Sequence, residues 1–271
     1  MKKDIFDFGR FWNYFQYDLK QMWRNHSKPA LFIGGMELIL YVVWVLIALV
    51  FTGHWTGPVL AARIVLLTVA FTILELYQTR TYGYLTDRQK GSAWLMIPAS
   101  RLEKYVSMML ITLIVIPVLF IVVYLCVDAL LALVDPTVGK SILGVAFGGF
   151  QELGDFVRIS GAPVDSFSMG WLCTYWIVGI FCNFLYFLLC GISFKRYKIL
   201  GGIAILFGFS ILLSIFAGTT VPTWSENLVT MSEAEATGVV TNLVNWFFWI
   251  MVVITVGLGA GVYFRIKNIK H

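Results

Sequence analysis

Six apolar runs, each long enough to cross a lipid bilayer as a helix, leave this chain few folds to choose from. They cover roughly residues 30–51, 59–77, 106–133, 170–194, 199–217 and 243–264. An apolar stretch of about 18 or more residues reads as a transmembrane helix. Only helices and closed barrels satisfy the backbone in lipid, and these runs lack the alternation of barrel strands. The expected fold is therefore all-α and integral to the membrane. The runs at 106–133 and 170–194 exceed about 20 residues, so they are expected to tilt or project.

Charge sets the orientation. The chain is 59% hydrophobic and only 13% charged, yet its basic residues are sorted. Seventeen of the 20 lysines and arginines fall on one side of a six-span topology. They lie in the N-terminal arm, between spans two and three, between spans four and five, and after span six. Only Arg63, Lys140 and Arg158 fall on the other side. By the positive-inside rule both termini are cytoplasmic. The net charge of +5 then belongs to the inner membrane face and its lipid, not to nucleic acid.

No cleavable signal peptide is expected, because the first 28 residues are charged and aromatic. Within them Ile5, Phe8, Trp12, Phe15, Leu19 and Met22 recur at helical spacing. Residues 4–28 are thus expected to form an amphipathic helix on the inner membrane surface, with Pro29 turning the chain into the first span. The largest connection, 134–169, is an outer loop containing Gly144, Gly148, Gly149, Gly154 and Gly161. A second outer connection, about 218–242, is acidic, with a short helix expected from Ser232. The whole of 1–271 reads as one membrane domain.

Enzymatic motifs fail on inspection. Gly139-Lys140-Ser141 resembles the end of a phosphate loop, but Val134 stands where its first glycine belongs. Gly208-Phe209-Ser210 and Gly191-Ile192-Ser193 resemble serine-protease fragments, but no histidine or lysine base lies in a span. Glu152-Leu153-Gly154-Asp155 lacks the first glycine of an aspartyl intramembrane protease. His26, His54 and His271 offer no metal spacing. Cys126, Cys173, Cys182 and Cys190 read as free packing residues. No catalytic residue, metal or cofactor is expected in this chain.

Charges inside spans are costly and default to function. Glu37 lies about two turns into the first run, and it reads equally as an interhelical hydrogen-bonding group or as part of a transport path. Depth argues against its pairing with Arg63; Glu37 could instead reach Arg80, or remain protonated in its buried place. Glu75 and Arg63 read as anchors near opposite ends of the second run, Arg63 snorkelling outward. Gly257-x-x-x-Gly261 gives the last span a small-residue face, for dimerisation or for intrachain packing.

The charged hook between spans two and three reads Asp87-Arg88-Gln89-Lys90-Gly91-Ser92, followed by 93–97 and by Pro98-Ala99-Ser100-Arg101-Leu102-Glu103-Lys104. Asp87 and Arg88 can cap or anchor a short helix, Gly91 can permit a tight C-terminal turn, and Trp94 to Ile97 can bury against a partner or the membrane. This arrangement resembles the membrane subunits of type-two ATP-binding-cassette (ABC) exporters, and is especially similar to small permeases from Bacteroidetes-like bacteria. In that family an acidic residue, a basic residue, two more residues, glycine and a small hydroxyl residue mark a coupling helix that docks on the ATPase.

The resemblance implies an export permease of the bacterial inner (plasma) membrane, working as a homodimer or heterodimer. A separate ABC ATPase subunit would hydrolyse the ATP. The coupling loop would be 79–104, and its ATPase-binding residues Asp87, Arg88, Lys90, Gly91, Trp94, Glu103 and Lys104. The alternative is a membrane scaffold or sensor subunit that passes no substrate. A secondary carrier is disfavoured, because the spans lack visible paired charges and no inverted repeat is seen.

Overall fold

In the computed structural model the chain is helical, with residues 6–145, 169–230 and 233–268 described and no strand among them. The helices are α1 (Phe8–Gly34), α2 (Met36–Thr52), α3 (Leu60–Thr81), α4 (Arg88–Met96), α5 (Arg101–Leu110), α6 (Ile116–Val134), α7 (Met169–Ser193), α8 (Lys198–Thr230) and α9 (Glu233–Lys267). A π-turn, Ile111–Val115, joins α5 to α6, and short 3-10 turns lie at Gly83–Thr86 and Pro136–Val138.

Among the described residues four segments are long and apolar enough to cross a membrane: Leu60–Thr86, Arg101–Val134, Thr174–Ser193 and Asn245–Lys267. Met36–Thr52 and Lys198–Leu212 are shorter apolar helices. The first expected span is broken where Gly35 leaves the helix at φ −87° and ψ 3°. Pro29 does not mark the turn; α1 runs through it to Gly34. The acidic connection expected at 218–242 is largely helix, since α8 continues to Thr230 and α9 starts at Glu233. Ser232, His271 and residues 146–168 of the connection expected as an outer loop lie outside the described residues.

The chain divides into two compact units. Met1–Thr81 and Pro98–Val164 form the first; Tyr82–Ile97 and Asp165–His271 form the second.

In the first unit α1 is aligned with the α5–α6 rod. Arg10 meets Glu103, and Asp18 accepts a hydrogen bond from Ser107 at 2.7 Å. Gly34 abuts Val123, so closely that a Cβ there would lie 2.9 Å from its Cγ1. Phe11, Tyr14, Asp18, Met22 and Ile33 are among the buried positions of α1. Phe8 and Trp12 of the expected stripe are exposed instead. The helical period is as read, but the face is rotated: Phe11 and Tyr14, outside the expected stripe, are buried, while Phe8 and Trp12 face outward.

The π-turn has a local cause in Pro117. A proline lacks the N–H for the carbonyl four residues back, and its ring crowds that carbonyl. Widening the preceding turn relieves the crowding, and Ile116 N–H accordingly bonds Ile111 O, five residues back.

In the second unit α7 packs mainly on α9, with α8 alongside. Tyr186 Oη donates to Gly202 O at 2.7 Å, and Arg265 donates to the carbonyls of Ile192 and Ser193 at the end of α7. Gly261 faces Leu189 of α7, whose Cδ2 would lie 3.5 Å from an added Cβ. Gly257 faces open space. One glycine of the pair thus serves intrachain packing and the other does not.

Candidate functional site

The hook is a helix in the second unit. Asp87 stands at its N-cap in extended conformation, but its side chain makes no cap hydrogen bond. Gly91 is not a terminal turn: its N–H bonds Asp87 O and the helix runs on to Met96. Ile97 caps the end in extended conformation, as expected of a residue before proline. Asp87, Gln89 and Lys90 are exposed, whereas Gly91 is buried.

Trp94 is 4% exposed and Met96 is 82% exposed. The apolar end of the hook therefore splits. Trp94 holds the helix to its own chain and is not displayed for a partner; Met96 is displayed. The turn before α4 is braced by Lys198 at the start of α8, whose Nζ donates to Gly83 O and, at 2.7 Å, to Thr86 Oγ1. Thr86 Oγ1 donates in turn to Gly83 O at 2.9 Å.

Glu103 and Lys104 belong to the first unit and are buried. Glu103 takes two hydrogen bonds from Arg10 Nε, at 3.1 and 2.9 Å, one from Arg10 NH2 at 2.7 Å, and one from Asp7 N at 3.0 Å. It also closes a capping box: Ser100 N donates to Glu103 Oε2 at 2.8 Å and Glu103 N to Ser100 Oγ at 3.2 Å. Glu103 is thus held by internal bonds, and Lys104 beside it is buried rather than displayed. The capping-box spacing, Ser100-x-x-Glu103, was a readable signal for this.

A second constellation sits in the first unit. Arg63 is not a snorkelling anchor: it is fully buried, and its NH1 pairs with Asp128 of α6. Its NH2 donates to Val138 O at 3.1 Å and Lys140 O at 2.8 Å. Asp128 also accepts from Ile142 N, and Tyr124 Oη donates to Arg63 O at 2.9 Å. Glu37, fully buried, faces the Asp128 carboxyl and lies within electrostatic reach of Arg63. Glu37 and Arg63 form no ion pair, as depth argued; the start of α2 reaches Asp128 instead. The spans therefore do contain paired charges. Asp128 was overlooked in sequence, although an aspartate inside the run 106–133 was the signal that should have found it. Glu75 is buried rather than displayed at an interface.

Just beyond α6, Asp135 gathers the ends of this unit. It accepts from Tyr41 Oη at 2.8 Å, Trp55 Nε1 at 2.9 Å, Thr137 N at 2.9 Å and Thr137 Oγ1 at 2.7 Å. Burial opposes its ionisation, but these donors outweigh burial and hold the carboxyl down at about 2.

Comparison with known protein families, with curated proteins and with solved structures finds no match in any of the three.

Proposed function

We propose that this chain is the membrane-spanning permease subunit of an ABC-type export system, with ATP hydrolysed by a separate subunit that docks on α4. The observation that carries the reading is the braced hook. A nine-residue helix follows one long apolar helix and precedes another, fixed internally by Trp94 and Lys198, while Asp87, Gln89, Lys90 and Met96 are exposed. A rigid helix with a polar outer face is what a soluble motor needs to push on a membrane segment.

In this reading six apolar helical segments cross the bacterial inner membrane with both termini cytoplasmic, the first turns of α1 lie at the inner interface, and two permeases form the working dimer. The chain itself is not an enzyme and carries no cofactor. The test is purification of the tagged protein from its native membrane in mild detergent, followed by identification of co-purifying chains. Co-purification of an ATPase whose association needs the exposed face of α4 supports the reading. Its absence favours the scaffold reading.

A further inference from the structure

We propose that Glu37, Arg63 and Asp128 form a one-proton binding site within the membrane-embedded part of the first unit, the proton lying between the Glu37 and Asp128 carboxyls. The inference concerns this unit alone and stands whether or not an ATPase partner exists.

The argument starts from charge. Three ionisable side chains on three helices meet with each of them fully buried. With both acids ionised, two negative charges share one guanidinium, and the net buried charge is −1. An uncompensated charge in such a place is costly, and one proton removes it.

Hydrogen bonding then assigns the proton. Asp128 is supplied with donors, Arg63 NH1 on one oxygen and Ile142 N–H on the other. Glu37 has none: neither of its buried oxygens has a hydrogen-bond partner. A carboxylate in that position would be left without a donor, whereas a protonated Glu37 becomes a donor itself, giving its O–H to Asp128. The groups facing Glu37 from α3 and α6 are Arg63, Asp128 and Tyr124, and no charged group of α1 acts on it. Among the described residues no other group supplies the missing positive charge.

The site also has somewhere to go when the proton leaves to water. Arg63 Nε–H is buried and unused. An ionised Glu37 can draw that N–H, and the guanidinium then divides between two carboxylates. Its NH2 contacts to the Val138 and Lys140 carbonyls would loosen. Proton occupancy is thereby tied to the packing of α2 against α3 and α6, and to the turn that follows α6.

The experiment is infrared difference spectroscopy on the purified full chain in nanodiscs, titrated across neutral pH. The wild type should show the carbonyl stretch of a protonated, buried carboxyl at pH 7. Labelling the glutamates with carbon-13 should shift that band without any substitution. Glu37→Gln should abolish it. Asp128→Asn should abolish it too, because Arg63 then serves an ionised Glu37. Glu75→Gln should leave it in place. A wild type without the band, a band indifferent to glutamate labelling, or a band surviving in Glu37→Gln would each overturn the proposal.

Discussion

Arg10 near the start of α1 and Glu103 in the first turn of α5 are 93 positions apart in sequence, yet their side chains meet at 2.7 Å. Arg10 is 43% exposed at its side chain and Glu103 is not exposed at all. The contact is therefore a lid on a buried carboxylate, and the two ends differ in what their loss would do. Arg10→Ala leaves Glu103 its backbone donors and should cost about 1 kcal/mol. Glu103→Ala removes the capping box as well and should cost about 2–4 kcal/mol. Thermal unfolding in detergent measures both. Equal losses would mean that the capping box contributes nothing.

The exposed face of α4 should affect association and not folding. Asp87→Ala combined with Lys90→Ala should lower ATPase association about tenfold or more, with the melting temperature unchanged. Trp94→Ala should do the reverse first. It opens a cavity at a buried site and should destabilise the chain by roughly 3–5 kcal/mol. Lys140→Ala, remote from α4 in sequence, is the association control. Unfolding curves recorded beside pull-downs separate the two effects.

The Lys198 brace should be visible by hydrogen exchange. Lys198→Met keeps the length of the side chain and removes its donors to Gly83 O and Thr86 Oγ1. Faster exchange over residues 83–91, with α7 and α9 unchanged, is the expected result. Uniform acceleration throughout the second unit would mean that Lys198 supports the fold generally and not the hook.

Tyr197, in the turn between α7 and α8, holds φ 52°. A non-glycine residue pays for the left-handed region, by about 1 kcal/mol. Its side chain is 79% exposed, so little packing offsets that cost. Tyr197→Gly should therefore stabilise the chain by up to about 1 kcal/mol, read as a higher melting temperature. A lower one would reveal a contribution from the exposed ring, for example with lipid.

Asp135 gives a pH signature with a definite sign. Its carboxyl is held at about 2 against an ordinary value of 3.8. The folded state thus binds its proton more weakly than the unfolded state does. The stability this contributes is complete above about pH 4 and is lost as pH falls from there through about 2. In acid thermal scans the wild type should lose stability over this window more steeply than Asp135→Asn. Parallel curves would assign the acid loss to other carboxylates.

The helices and their apolar character were legible in the sequence because run length and period report burial in lipid directly. The faces were not. On α1 the apolar stripe and an aromatic margin are nearly interchangeable by pattern. Only packing within the folded unit decides that Phe11 and Tyr14 go in while Phe8 and Trp12 go out. The same holds for charge. Glu103 and Lys104 looked like parts of a basic surface hook, because sequence order places them just after it. The partner of Glu103, Arg10, lies 93 positions away, and no local spacing announces it. Arg63 was misread for a similar reason: its partner Asp128 lies 65 positions away on another helix. Asp128 needed no tertiary information at all, being an acid inside an apolar run.

The π-turn at Ile111–Val115 works as a phase setting for the rod that contains it. An α-helix turns about 100° per residue, so one inserted position fixes how everything downstream is rotated relative to everything upstream. Restoring a regular helix by deleting a single residue there would leave Glu103 facing Arg10 while swinging Asp128 about 100° away from Arg63. The composition of the helix would hardly change. In this rod, residue count rather than residue type decides whether the Arg10–Glu103 anchor and the buried charges are satisfied at the same time.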